Sequence, residues 1–251
     1  MAINGVLGLK TGKDFIEKTK YRYLPKSDQL LGLPQPPLEL DYSRETTIID
    51  LPLPQNEVFT ADLTTAIQRR VSVRKYAPNP LTPGELSHLL WCTQGVKEIR
   101  SGLTFRTVPS AGARHALETW LLINNVTGIQ PGLYRYIASK HQLELKTLSI
   151  DGDLTAEAVH LCHSQSFVKN AAALFIWVAV PYRMAWRYTD RAYRYLYLDA
   201  GHVCQNLYLA AETMSAGVCA IAAYDDDGMN KFLGLDGEKA FAIYLATVGH
   251  K

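Results

Sequence analysis

Long hydrophobic runs are missing from this chain of 251 residues. The longest, residues 171–181, has about half the length that a membrane-spanning helix needs, so no helical membrane span is expected. The opening stretch MAINGVLGLKTGKDF lacks the charged start, long apolar centre and small-residue cleavage site of a secretory signal, which points to a cytoplasmic location. Excess charge is missing too. A formal net charge of +2, with acids and bases mixed throughout, gives no global field to draw in nucleic acid or an anionic membrane, so neither is expected as a partner. Paired cysteines are absent: Cys92, Cys162, Cys204 and Cys219 form no CxxC and sit in apolar surroundings, as buried reduced thiols do. His160, Cys162 and His163 make one short cluster without a second pair, so no metal is expected. Neither GxGxxG nor GxxxxGK[ST] occurs, which removes the Rossmann fingerprint and the P-loop as routes to a nucleotide. There is no internal repeat.

What is present is an ordinary globular composition, 47% hydrophobic and 20% charged. Residues 1–58 stand apart. LPKSDQLLGLPQPPLEL and IIDLPLPQNEV are rich in proline and show no sustained period, which describes an extended arm whose leucines need the body or a partner subunit to lie on. Residues 59–251 read as one regular domain. Leu63, Ala66 and Ile67 fall at helical spacing, and LTPGELSHLLWCTQGV carries Thr82 as N-cap, Pro83 in the first turn, Glu85 completing a capping box and Gly95 as the stop. ETWLLINNV, GLYRYI, QLELKTL, ALFIWVAVP, VCAIAAY and KAFAIYLATVG read as strands, residues 183–215 as one long helical stretch and residues 226–233 as a short helix. Helices and strands mixed without strict alternation indicate an α+β domain.

Three stretches carry chemistry. In RRVSVRKY, alternation on an extended segment puts Arg70, Ser72 and Arg74 on one face, where two guanidinium forks and a hydroxyl suit a phosphate. The alternative is a solvated basic cluster closing a helix end. In RTVPSAGARHALETWLLI, Pro109, Ser110, Ala111 and Gly112 precede a strand at a point where backbone could approach a flat ligand; the alternative is an ordinary tight turn. In YRMAWRYTDRAYRYLYLD, Arg183, Arg187, Arg191 and Arg194 form a near-helical stripe among aromatics, either a substrate-pocket wall, a dimer contact or a solvated face.

Together with TKYRYL, PGLYRY and CAIAAYDDDGMNKFLGLDGEKAFAIYLATVG, these segments make the chain resemble the FMN-dependent nitroreductase superfamily, and within it the SagB-type dehydrogenases that oxidise azoline rings in peptides. The resemblance implies an α+β nitroreductase-like fold, with a central mixed or antiparallel sheet flanked by helices, and a homodimer holding FMN at the subunit interface. It assigns Arg70, Val71, Ser72 and Arg74 to the flavin phosphate and nearby ring edge. Pro109, Ser110, Ala111 and Gly112 go to the isoalloxazine, and Ile221, Ala222 and Ala223 to its other face. Where azoline-oxidising members have a lysine-tyrosine pair, this chain has Arg187 and Tyr188, and arginine cannot shed its proton as lysine can. The further basic phosphate ligand of many nitroreductases is replaced by Arg69 or Lys251 or is missing. The expected activity is hydride transfer between flavin N5 and a conjugated, electron-poor or peptide-like small substrate, with NADH or NADPH as reductant. An azoline-type dehydrogenase tailoring a modified peptide and a non-catalytic binding paralogue are the alternatives.

Overall fold

The computed structural model describes residues 10–42, 45–54, 59–150 and 152–251; the first nine residues of the expected arm, and 43–44 and 55–58 within it, lie outside the described residues. In chain order the elements are α1 (Lys10–Lys18), β1 (Ile48–Asp50), α2 (Leu63–Arg69), α3 (Pro83–Gln94), β2 (Val96–Arg100), β3 (Leu103–Arg106), β4 (Leu117–Ile123), β5 (Gly132–Ile137) and β6 (Gln142–Leu148). They continue with α4 (Asp153–Leu161), α5 (Phe167–Asn170), β7 (Ala173–Ala179), α6 (Pro181–Tyr188), α7 (Ala192–Ala211), β8 (Ala216–Ile221), α8 (Asp226–Phe232) and β9 (Phe241–His250). Seven strands make one sheet in the order β1-β6-β5-β4-β7-β9-β8, every neighbouring pair antiparallel, while β2 and β3 form a separate hairpin.

The unbroken apolar run of β7 follows from its central place in this sheet, because a strand covered on both faces has no polar side to show. Phe175 and Trp177 face a core shared with α3 and α7, and Leu174, Ile176 and Val178 face a second core closed by α4 and α8. Each such side chain contributes roughly 2 kcal/mol by leaving water. The capping box of α3 forms as its sequence demands: Thr82 Oγ1 accepts from the Glu85 N–H, and Glu85 Oε2 accepts from the Thr82 N–H. On α7, Leu196, Ala200, Val203, Cys204, Leu207 and Ala211 are buried at helical spacing against the sheet. Cys162, Cys204 and Cys219 are buried thiols and Cys92 is half-buried; burial pushes the Cys204 thiol up to about 12 and those of Cys92 and Cys162 to about 11. Among the described residues no helix is long and apolar enough to cross a membrane.

Two sequence expectations are corrected. The stretch 183–215 is not one helix: α6 ends at Tyr188, a 3-10 turn spans Thr189–Arg191, and α7 starts afresh at Ala192. The cause is Thr189, whose φ of 50° takes a β-branched residue into the left-handed half of the map and breaks the helical ladder. The arginines of this region are therefore not one stripe. Arg183 is buried in the body, while Arg191 and Arg194 bind the N-terminal segment: Arg191 Nη1 donates to Thr19 O (2.9 Å), and Arg194 donates to Thr19 Oγ1 (2.6 Å) and to the Ile16 carbonyl. That segment is not wholly extended, since it contains α1. It also lies on the body through Tyr21 Oη to Tyr195 Oη (2.8 Å), Trp186 Nε1 to Leu33 O (3.0 Å) and Leu40 N to Glu118 Oε1 (2.9 Å).

Beneath the segment that joins β3 to β4 lies a concentration of buried positive charge. Arg106, Arg114 and Arg183 are all at most 6% exposed, and Arg183 Nη2 meets Glu118 Oε1 at 2.8 Å. Arg183 Nη1 also donates to the His115 carbonyl at 3.2 Å, and Arg114 Nε donates to the Arg183 carbonyl at 3.0 Å. Burial and then the three arginines hold the His115 imidazole down to about 3. Replacing Arg183 by Met strands a buried Glu118 carboxylate, so the expected loss is about 3–5 kcal/mol in chemical denaturation, with Glu118→Gln in the same background recovering part of it. Because the folded His115 resists protonation, its contribution to stability is complete above about 6.5 and is lost as pH falls toward 3. The slope approaches about 1.4 kcal/mol per pH unit. Denaturation midpoints between those limits should fall less steeply in His115→Gln than in the parent protein.

Candidate functional site

The basic motif begins where α2 stops. Arg70 is the C-cap residue of α2, its N–H donating to Ala66 O at 3.0 Å, and the chain then runs extended along the free edge of β8. Ser72 bridges Val218 in parallel fashion, and the Val73 N–H donates to Val218 O at 2.9 Å. Gly217 makes this approach feasible, because a Cβ there would fall 2.5 Å from the Val73 side chain. Tyr76 pins the far end by donating to Val73 O (2.7 Å) and meeting Thr247 Oγ1 (2.7 Å).

Arg70 and Ser72 converge on one residue of α7. The Arg70 guanidinium stands 5.2 Å from the centre of the Tyr208 ring, and Ser72 Oγ lies 3.1 Å from Tyr208 Oη, which also accepts from the Ala220 N–H at 2.9 Å. Arg74 takes another direction, 5.9 Å over the Phe167 ring. Val71 is exposed, with its side chain taking no part in this contact set. Among the described residues neither Arg70 nor Arg74 has a carboxylate within salt-bridge distance, whereas Lys251 is paired with Glu212 at 2.5 Å. The Arg70 guanidinium and the Ser72 hydroxyl thus lie on one side of Tyr208, with Arg74 apart over Phe167, and guanidinium and hydroxyl donors of this kind suit an anion.

One residue beyond Ala220, Ile221 ends β8 in the core, and Ala222 and Ala223 emerge exposed. Ala222 lines a cavity of about 480 Å³ with Tyr197, Gly201, Tyr224, Phe241 and Tyr244. Its volume falls in the range of small-molecule sites, roughly 300–1,000 Å³.

The second motif is fixed from the other part of α7. Ser110 Oγ donates to Asp199 Oδ2 at 2.5 Å and accepts from the His115 N–H at 2.9 Å, and the Ala111 N–H reaches Asp199 Oδ1 at 3.4 Å. Burial pushes the Asp199 carboxyl up, against the Ser110 and Ala111 donors that favour its anion. Pro109 is exposed and Ala111 begins a 3-10 turn in which Gly112 has φ 58°. A Cβ on Gly112 would lie 2.5 Å from Tyr188 Oη and 3.2 Å from Arg187 Cδ, so the loop and the Arg187/Tyr188 pair are in direct apposition. Arg187 is exposed; Tyr188 is half-buried with its ring edge-on to Tyr195 at 4.8 Å.

The structure thus gathers the sequence-derived residues into two groups instead of one. Arg70, Ser72 and the end of β8 meet through Tyr208; Ser110, Ala111 and Gly112 meet Tyr188 and Arg187 next to Asp199. Asp199 and Tyr208 are nine positions apart, about half a turn in angle and about 13 Å along the helix axis. Sequence reasoning missed both of them. Asp199 left a signal, a lone carboxylate within the apolar run of a buried helix, while Tyr208 left none among fourteen tyrosines.

Comparison with known proteins agrees with this architecture. The Nitroreductase family model matches residues 67–250. A protein of Methanocaldococcus jannaschii named as a nitroreductase is 35% identical over 184 residues, 73% of this chain and 88% of that protein. The trifolitoxin-processing protein TfxB of Rhizobium leguminosarum bv. trifolii is 31% identical over 143 residues, 55% of this chain, which spans only 32% of that protein's length. A crystal structure from Ralstonia eutropha, also named as a nitroreductase, superposes with a TM-score of 0.67 at 26% identity, covering 87% of this chain and 98% of that one. With the matched region running from the basic motif through the last strand, the chain belongs to the nitroreductase family.

Proposed function

We propose that this protein is an FMN-dependent oxidoreductase in which residues 59–251 form the flavin domain. The observation that supports the reading is the basic stretch at the β8 edge, where Arg70 and Ser72 meet Tyr208, Arg74 lies over Phe167, and neither arginine has a carboxylate within salt-bridge distance among the described residues. Arg70, Ser72 and Arg74 would hold the ribityl phosphate, with Val71 beside it, and Ile221, Ala222 and Ala223 would present backbone to the ring. When bound, FMN carries a hydride at N5 between a donor such as NADH or NADPH and an acceptor.

The two groups on α7 support a dimeric site. Tyr193, Tyr197 and Leu198 are exposed on α7, at 39%, 59% and 58%, which leaves an aromatic and apolar stretch of this helix uncovered. A two-fold interface on that face would present the loop of Pro109, Ser110, Ala111 and Gly112 from one protomer to the basic receptor of its partner. Tyr188 is placed to pass a proton, with the Arg187 guanidinium 5.7 Å from its ring centre.

The likeness to TfxB favours a narrower version, a SagB-type dehydrogenase tailoring a modified peptide. Oxidising an azoline to an azole removes a hydride from one ring carbon and a proton from its neighbour, and the proton would leave through Tyr188 since Arg187 cannot act as a base.

Purified protein should be yellow or take up added FMN; colourless protein with no uptake would favour the binding paralogue. Arg70→Ala combined with Arg74→Ala should weaken FMN affinity by roughly a hundredfold, two charge-assisted contacts at 1–2 kcal/mol each, measured by flavin fluorescence titration. Undiminished affinity would put the phosphate elsewhere. Tyr188→Phe should lower kcat for ring oxidation by roughly a hundredfold while leaving FMN affinity within about twofold.

A further inference from the structure

The loop that carries Pro109, Ser110, Ala111 and Gly112 does not keep its shape unaided. Gly112, Ala113 and His115 have φ of 58°, 52° and 43°, and a residue with a side chain stays in the left-handed region only where surrounding structure over-determines it. The two ends of the loop are held differently. At the C-terminal end Arg114 Nε donates to the Arg183 carbonyl at 3.0 Å and Arg183 Nη1 to the His115 carbonyl at 3.2 Å, which ties this end to α6. At the other end, bonds from the Ala113 N–H to Ser110 O (3.0 Å) and from the Arg114 N–H to Ala111 O (3.2 Å) only close the turn on itself. Among the described residues the one polar tie from Ser110 and Ala111 to another element is Asp199 of α7, which accepts from Ser110 Oγ at 2.5 Å and from the Ala111 N–H at 3.4 Å.

Asp199 is 4% exposed and has no ion pair among the described residues. Burying a carboxylate without a cation is costly, so a side chain that only filled space here would be apolar, like the neighbouring Leu196, Ala200 and Val203. What the carboxylate supplies is acceptor capacity for two donors at once. Asparagine has a single acceptor oxygen and would turn an NH₂ group toward one of them. Ser110 commits its one hydroxyl proton to Asp199 while it accepts from the His115 N–H at 2.9 Å.

The place of Asp199 along α7 gives this tie a purpose. Tyr195, one turn earlier, meets the Tyr188 ring edge-on at 4.8 Å, and the adjacent Leu198 is exposed on the face proposed for the two-fold interface. A loop that must reach the partner's basic stretch has to be fixed relative to the helix that sets the partner's approach. We propose that Asp199, as the carboxylate, is the positioning residue of the flavin site, clamping Ser110 and Ala111 to α7 so that the loop meets the ring held by the partner. This rests on the flavin-oxidoreductase reading. Protonation undoes the clamp, because a carboxylic acid donates to Ser110 and turns that hydroxyl's own proton away.

Burial pushes the Asp199 carboxyl up, so it takes a proton at a higher pH than an exposed aspartate does. The groups that face it are few. His202, one turn on in α7, favours the anion when charged; His115, behind Ser110, is held down to about 3 and stays neutral. Arg187 and Tyr188 stand across Gly112 on α6, Arg114 lies over Trp186, and Glu118 of β4 is paired with Arg183.

The test is the FMN affinity of the full chain, by fluorescence titration, in the parent, Asp199→Asn, Ser110→Ala and the double variant. At about pH 8 each single variant should bind roughly tenfold more weakly, and the double variant no more weakly than the weaker single, since both changes remove one clamp. Between about pH 8 and about pH 4.5 the parent's advantage over each single variant should shrink toward one as Asp199 takes its proton; the flavin phosphate titrates alike in all and cancels from the ratio. Unchanged affinity in either single variant, losses that add in the double variant, or a ratio constant with pH overturns the inference. Ser110→Ala leaves α7 untouched, so its pH ratio decides even where Asp199→Asn does not fold. Failure of the flavin reading shows separately, as protein that neither carries FMN nor takes it up, whereas affinity that responds to Arg70→Ala with Arg74→Ala but not to Asp199→Asn overturns this inference alone.

Discussion

The arrangement depends on one packing contact, the burial of α7 against the sheet. Its inward stripe is made of Ala200, Val203, Cys204, Leu207 and Ala211, and the small side chains let the helix backbone come close to the strands. Held in that position, the helix aims Asp199 at Ser110 and Tyr208 at Ser72. Rotating it by a single residue, about 100°, would take both side chains off their partners. The core thus acts as a jig: apolar packing carries no chemistry of its own, yet it sets the distance between two polar groups that do.

Around the loop at Gly112 the protein concentrates conformational and electrostatic cost. Gly112, Ala113 and His115 all have positive φ, and Thr189 opposite them does as well. Such residues cost of order 1–3 kcal/mol each when they carry a side chain, and they persist only where surrounding structure over-determines them. The same neighbourhood holds Arg114 Nη2, Arg183 Nε and Thr189 Oγ1, buried polar atoms without a hydrogen-bond partner among the described residues. Arg114 is compensated in part by the face of Trp186, 4.8 Å from its guanidinium carbon. Strain, buried charge and unsatisfied donors thus occur together beside Tyr188.

The N-terminal segment gains its meaning from contacts far along the chain. Proline and scattered leucine made it legible as an arm in need of a surface, but not what it would touch. Tyr21, Thr19, Leu33 and Leu40 find Tyr195, Arg191, Trp186 and Glu118, each separated by many tens of residues. The four arginines near α7 show the same limit. Their spacing looked like a helical stripe, whereas one is neutralised within the body by Glu118 and two hold backbone carbonyls of the arm.

The sequence by itself determined whatever depends on local or periodic rules. The capping box of α3 is a contact within four residues, and the β7 run follows from burial on both faces. The closeness of Arg70 and Ser72 follows from the two-residue repeat of an extended chain. The Pro-Ser-Ala-Gly stretch was recognisable by composition and by resemblance. Only the tertiary structure decided which groups would face one another. Asp199 lies 89 positions from Ser110 and Tyr208 lies 136 from Ser72, and no local rule reaches across such separations. It also decided the break at Thr189, because a left-handed residue in the middle of a helical pattern is imposed by packing against its own propensity.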